Sequence, residues 1–426
     1  MSNFDTNEEK QNPYILENEL RKTIQRQKKT IFRLAERNRV WKIICAVLAV
    51  LLIIESIALW GGSNENEPAQ QTAQPKAQNQ ISEPAASYQV DDARIDAIMS
   101  QMTLIDKINQ MLMVTPEALT GFEAVTAAGE STELALANYK VGGILYNSSN
   151  FEDAVQTKQM LSNTIEYAST PLFMAVSDEG GSNSMLAKLK TEDSFNIPSQ
   201  AVIGTYTDEA QIESDYRRNA AFMNEFGFNV NFAPYAPPAS GAQLTMENSF
   251  GSDVAKVSSS VSYAVKGQMG SGVLSALKYF PTKHDSEKTG EELRQCEFAA
   301  FKAGFDAGAD FVLMSNGADT NLTSDGLPYC MSKSVIGDLL IGELGFGGIV
   351  ISNPSADADI LQNYTLGEIA VNCINAGNNM LICSAGINEV VTAINEAVRI
   401  GEIEQSTIDN SVRKILRAKM KRGIIK

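Results

Sequence analysis

The sequence predicts an α/β protein: a (β/α)8, TIM-type barrel, preceded by one transmembrane helix and a flexible linker. Three observations carry this. Short apolar runs alternate with stretches of helical spacing from residue 90 to the end. One apolar run near the N-terminus is long enough to cross a bilayer. Between the two lies a polar stretch with almost no large apolar side chains.

The first 42 residues are basic. They carry ten Lys/Arg and six Asp/Glu, a net of +4, whereas the whole chain of 426 residues carries −16. A basic head and an acidic body suggest two compartments. The acidic body also argues against nucleic acid as a partner, because phosphates need a basic surface. A single His excludes a multi-His metal centre, and five Cys in this length exclude a disulfide-stapled miniprotein. No cofactor-binding motif appears: no Gly-rich phosphate loop follows the first strand, so a nucleotide-binding open sheet has no support.

Ile43–Trp60, IICAVLAVLLIIESIALW, is the expected span. Eighteen helical residues cover about 27 Å, close to the hydrocarbon thickness. Trp41 and Trp60 bracket the run, and its one charge, Glu55, lies near the outer end. Nine Lys/Arg between Arg21 and Lys42 lie just before it. The positive-inside rule then keeps the N-terminus cytoplasmic and places the body outside the cell membrane. The basic stretch reads as a juxtamembrane helix against anionic lipid, or as a short heptad seam through Leu20, Ile24, Ile31, Leu34 and Trp41. Residues 61–89, rich in Gln, Asn, Ala, Pro and Ser, form the tether. Residues 90–426 form the barrel domain.

Within that domain eight strands are expected: Met111–Val114, Val141–Tyr146, Leu172–Val176, Val230–Ala233, Leu274–Phe280, Phe311–Met314, Gly348–Ile351 and Met380–Cys383. Near-continuous apolar strands separated by helical segments such as Glu152–Tyr167 and Asp208–Phe226 imply a parallel sheet covered on both faces. In a parallel barrel, chemistry sits at the C-terminal ends of the strands. The ionisable residues there are Asp178, Glu179, Lys278, Lys283, His284 and Asp285.

These loops carry a resemblance. MTLIDKINQMLM from Met102, VGGILYNSSN from Val141, AVSDEGG from Ala175, NVNFAPYAPP from Asn229, ENSFGSD from Glu247 and LKYFPTKHDS from Leu277 occur in this order. FAAFKAGFDAGADFVLMSN, KSVIGDLLIGELGFGGIVIS and the tail IDNSVRKILRAKM follow. Together they resemble family 3 glycoside hydrolases of the β-N-acetylhexosaminidase type, over about Ala93 to Lys426. The resemblance implies a barrel that acts on cell-wall amino-sugar glycan. It also implies an Asp nucleophile after the seventh strand and a His–Asp acid/base pair on a loop after the fifth.

At those positions the sequence departs from the family's pattern. The nucleophile position is Asn353, in Ser352-Asn353-Pro354. The acid/base loop reads KHDSEKTGEE from Lys283, is shortened, and leaves His284 and Asp285 as its candidates. The expected sugar-contacting positions hold Ser177 for Asp, Asn248 for Arg, Tyr279 for His and Pro237 for Asp. Lys278 is kept, and Asp178 stands beside Ser177. The implied catalytic set is therefore Asn353, His284 and Asp285; the implied substrate-binding set is Lys278, Tyr279, Ser177, Asp178 and Asn248.

Two functions follow. One is a membrane-tethered barrel with impaired catalysis that binds cell-wall glycan, muropeptide or protein partners. The other is an active exo-β-N-acetylhexosaminidase with an atypical catalytic set. Cys296, Cys330, Cys373 and Cys383 lie in the outward body, where buried free thiols are the default and three disulfide connectivities are open.

Overall fold

The computed structural model describes residues 89–425 apart from 192–193, 241–246, 283–289, 319–321 and 324. The expected span at 43–60, the basic head and the tether to residue 88 lie outside these residues. Among the described residues no helix is long and apolar enough to cross a membrane.

Eight parallel strands close into a barrel in sequence order. They are β1 (Leu112–Val114), β2 (Gly143–Leu145), β3 (Phe173–Val176), β4 (Val230–Asn231), β5 (Leu274–Phe280), β6 (Phe311–Met314), β7 (Ile349–Ser352) and β8 (Met380–Cys383). β8 pairs back onto β1, Leu381 opposite Leu112. The strands are buried along almost their whole length, as near-continuous Val, Ile, Leu, Met and Phe require when helices cover the outside. The interior is filled by side chains. Phe173 of β3 meets Phe311 of β6 across the barrel at 5.2 Å, edge to face.

β4 is shorter than its apolar run implies. Past Asn231 the Ala233 carbonyl accepts from the Gln268 and Ser275 side chains instead of a strand, and the chain rejoins β5 through a bridge between Tyr235 and Lys278. Between Lys278 and Phe280 the β5–β6 register shifts. That irregularity is where β5 turns its polar residues toward the mouth.

The floor is tightly fitted. Gly142, before β2, runs so close to the preceding helix that an added Cβ would lie 2.0 Å from the Gln110 carbonyl oxygen. Helix Leu104–Gln110 is opened by a capping box between Thr103 and Asp106. The last helix, Gln405–Lys421, is clamped to the start of the domain by Lys107–Asp409 at 2.7 Å and Arg417–Asp92 at 2.7 Å. Helices Ile387–Arg399 and Gln405–Lys421 both bury an apolar face against the barrel, so the C-terminal stretch is part of the same core.

Candidate active site

The site is built where β3, β5, β6 and β7 end. Lys278, in β5, is only 5% exposed. Its ammonium donates to Ser177 Oγ at 2.6 Å and pairs with Glu179 at 2.7 Å. Ser177 in turn donates its hydroxyl to the Phe232 carbonyl, 3.1 Å away. Two strand ends are thus tied by one lysine whose charge is neutralised on the spot. Tyr279 follows through a cis peptide and stands 42% exposed, its ring 5.5 Å from the Lys278 ammonium.

Asp178 sits beside these residues in sequence. It is buried, and its carboxylate accepts from the Asn219 amide at 3.0 Å and the Leu186 N–H at 3.5 Å. Asn231 of β4 grips its backbone on both sides. Asn248 is half-buried next to the buried Ser249, which is held by the Pro237 carbonyl. His284 and Asp285 lie outside the described residues.

Asn353 opens the short 3-10 turn Pro354–Ala356 after β7. Its backbone carbonyl accepts from Asn316, at the end of β6, at 3.0 Å. Its side-chain oxygen accepts weakly from Ser355 at 3.4 Å. Ser352, just before it, is fully buried and donates to Asn378 Oδ1. The backbone at this position is therefore held from both neighbouring strands, while the side chain is a neutral amide.

One residue at the mouth was not expected from the sequence. Glu297 is buried, on a π-helical turn at Arg294–Phe298, and accepts from the Thr282 N–H at 2.6 Å. Burial pushes the Tyr235 phenol up to about 12, and the charges of Glu297 and Glu179 add to the shift, so it stays protonated. Asn316, at a strand end, was legible as a mouth residue; Glu297 was not, because it lies inside a helix and reaches the mouth only through the π turn.

Among the described residues, the carboxylates beside the site are engaged with other groups. Glu179 is paired with Lys278, Asp178 is enclosed, and Glu297 holds the Thr282 backbone. Asp357 caps helix Ala358–Asn363 by accepting from the Asp359 and Ile360 N–H groups, and Asp359 is exposed on that helix. Among the described residues no group of His, Cys, Asp and Glu could hold a metal ion.

Comparison with known proteins agrees with the barrel and its motif order. The family model for the glycosyl hydrolase family 3 N terminal domain matches residues 103–418. Beta-hexosaminidase LpqI of Mycobacterium bovis is 24% identical over 388 residues, 86% of this chain and 94% of its own. Beta-hexosaminidase A of Pseudoalteromonas piscicida is 24% identical over 70% of this chain, which spans 56% of that relative's length. Among solved structures, a family 3 beta-N-acetylglucosaminidase from Paenibacillus superposes with a TM-score of 0.68 at 25% identity, covering 76% of this chain and 64% of its own. The beta-N-acetylhexosaminidase of Beutenbergia cavernae superposes with a TM-score of 0.65 at 24% identity, over 75% of this chain and 99% of its own. The chain belongs to glycosyl hydrolase family 3, as a β-N-acetylhexosaminidase-like member.

Proposed function

We propose that this protein is a membrane-anchored, extracytoplasmic family 3 barrel that binds cell-wall amino-sugar glycan at its mouth and has lost hydrolysis. The observation that carries the reading is Asn353. A retaining glycosidase attacks the anomeric carbon with a carboxylate and forms an ester to the sugar. An amide cannot form that ester, and the carboxylates described around it are committed to other partners.

Binding needs less. The mouth offers the Ser177 hydroxyl backed by Lys278, the protonated Tyr235 phenol, and an exposed Tyr279 ring on which a sugar face can rest. The catalytic candidates Asn353, His284 and Asp285 and the sugar-contacting candidates Lys278, Tyr279, Ser177 and Asn248 belong to this proposal. Asp178 serves the wall of the site through Asn219 and Leu186. Anchoring rests on the apolar run at 43–60 with the basic residues before it, and the tether at 61–89 gives the barrel reach.

The second reading, an active exo-β-N-acetylhexosaminidase, is supported by the names of the relatives aligned over most of the chain. One experiment separates the two. The protein is incubated with muropeptides and with an aryl β-N-acetylglucosaminide, and both binding and hydrolysis are measured. Saturable muropeptide binding without product supports the first reading; steady turnover supports the second. External protease on intact cells checks the topology, because cutting within residues 61–87 should release the barrel.

A further inference from the structure

Of the four described cysteines, two are occupied locally. Cys296 donates its Sγ–H to the Glu292 carbonyl at 2.8 Å, and Cys383 donates to the Ala385 carbonyl at 2.9 Å. Cys330 and Cys373 are different. Both are fully buried, Cys330 in the short turn Tyr329–Met331 and Cys373 in helix Leu366–Ala376. Both thiols are free in the structure, and burial together with the neighbouring Cys330 thiol pushes Cys373 well above the ordinary thiol range.

The backbones are drawn together independently. The Asn378 side-chain amide donates to the Cys330 carbonyl at 2.8 Å and to the Cys373 carbonyl at 2.7 Å. The same Asn378 accepts from Ser352, the residue before Asn353. One buried amide therefore joins the two cysteine backbones to the end of β7. A disulfide needs its two backbones close and its two side chains adjacent, and the shared amide supplies the first of these conditions.

We infer that Cys330 and Cys373 are disulfide partners when the barrel matures in an oxidising compartment, an inference that rests on the outward placement proposed above. The two thiols lose two protons and two electrons as the S–S bond forms, and the electrons reduce the disulfide of a thiol–disulfide oxidoreductase to its dithiol. Because both sulfurs end up buried, out of reach of an external oxidant, the bond forms as the chain folds, before the site closes. The closed loop encloses β7 and Asn353. Cross-linking it restricts the unfolded chain and so stabilises the strand end on which the site depends.

The test uses the full chain, extracted from its own envelope in detergent. Free thiols are alkylated under denaturing conditions, and the protein is digested without reductant and mapped by mass spectrometry. A second arm refolds the reduced protein in glutathione disulfide before the same mapping. The expected result in both arms is a Cys330–Cys373 linked peptide, lighter by two hydrogens than its halves, with Cys296 and Cys383 alkylated. Thermal unfolding supplies a further readout: Cys330→Ala, Cys373→Ala and the double variant should lose the same several degrees of Tm, since each removes the same bond. Free thiols in the cell-derived protein with a 330–373 bridge on refolding would uphold the pairing and overturn the outward placement. Alkylated Cys330 and Cys373 in both arms, or a bridge to another cysteine, would overturn the pairing.

Discussion

The floor and the mouth of this barrel are built from the same kinds of residue and used differently. At the floor, the buried side chains of Asp310 and Lys419 each have a partner on another element. Asp310, just before β6, receives Arg422 at 3.1 Å and Lys421 at 3.5 Å. Lys419 is fully buried, donates to Gln110 Oε1 at 2.9 Å and lies over the Phe173 ring at 4.9 Å. Gln110 in turn donates to the Lys140 and Val141 carbonyls. At the mouth, Lys278 is paired with Glu179 and Ser177 and Asp178 is enclosed, while the position that the family resemblance assigns to the nucleophile is an amide. In barrel enzymes the floor serves stability and the mouth serves chemistry. Here the floor keeps its fastenings while the nucleophile position implied by the family resemblance holds Asn353; under the function proposed above, the fold is kept without the reaction.

The comparison breaks first at Gly142. Gly142→Ala places a Cβ against a backbone oxygen that cannot step aside, and we expect little or no folded protein by circular dichroism. Next is Asp310→Ala, which leaves the largely buried Arg422 guanidinium without its carboxylate and should cost about 3–5 kcal/mol in denaturant unfolding. A smaller effect depends on pH. Burial holds Lys419 at about 7, below the ordinary lysine value of about 10.4. Between these values the unfolded chain binds more protons than the folded one, so stability should rise with pH across that window. Below pH 7 both states are protonated, and the penalty for burying the ammonium is complete. Lys419→Met should raise the Tm at neutral pH and flatten the slope; an unchanged slope would assign it to another group. The smallest expected effect is at the mouth: Asn353→Ala should alter stability by no more than about 1 kcal/mol, since among the described residues its side chain makes one long hydrogen bond.

The barrel was legible because its strands are apolar on both faces and its motifs come in order. Runs such as Phe311–Met314 and Met380–Cys383 match the observed strands residue for residue. What the sequence could not convey was how side chains are spent. Asp178 and Glu179 are adjacent carboxylates at the end of β3, yet one is enclosed by Asn219 and Leu186 and the other pairs with Lys278. Nor could it place Glu297, which a local change of helical pitch turns inward. Position along a strand is written in the apolar pattern; the partner of a polar group is decided by residues far away in sequence.

The most direct test of the account is turnover of an aryl β-N-acetylglucosaminide with a good leaving group, which needs little acid assistance, by the wild type, Asn353→Asp and Asn353→Ala. Without a carboxylate the covalent step is lost. Restoring one does not return the altered acid/base loop or the sugar-holding Arg, His and Asp, and these groups act as a unit. The account predicts background rates for wild type and Asn353→Ala, and Asn353→Asp far below a working glycosidase. Robust wild-type turnover that survives Asn353→Ala would contradict it, because the nucleophile would then lie elsewhere in the mouth.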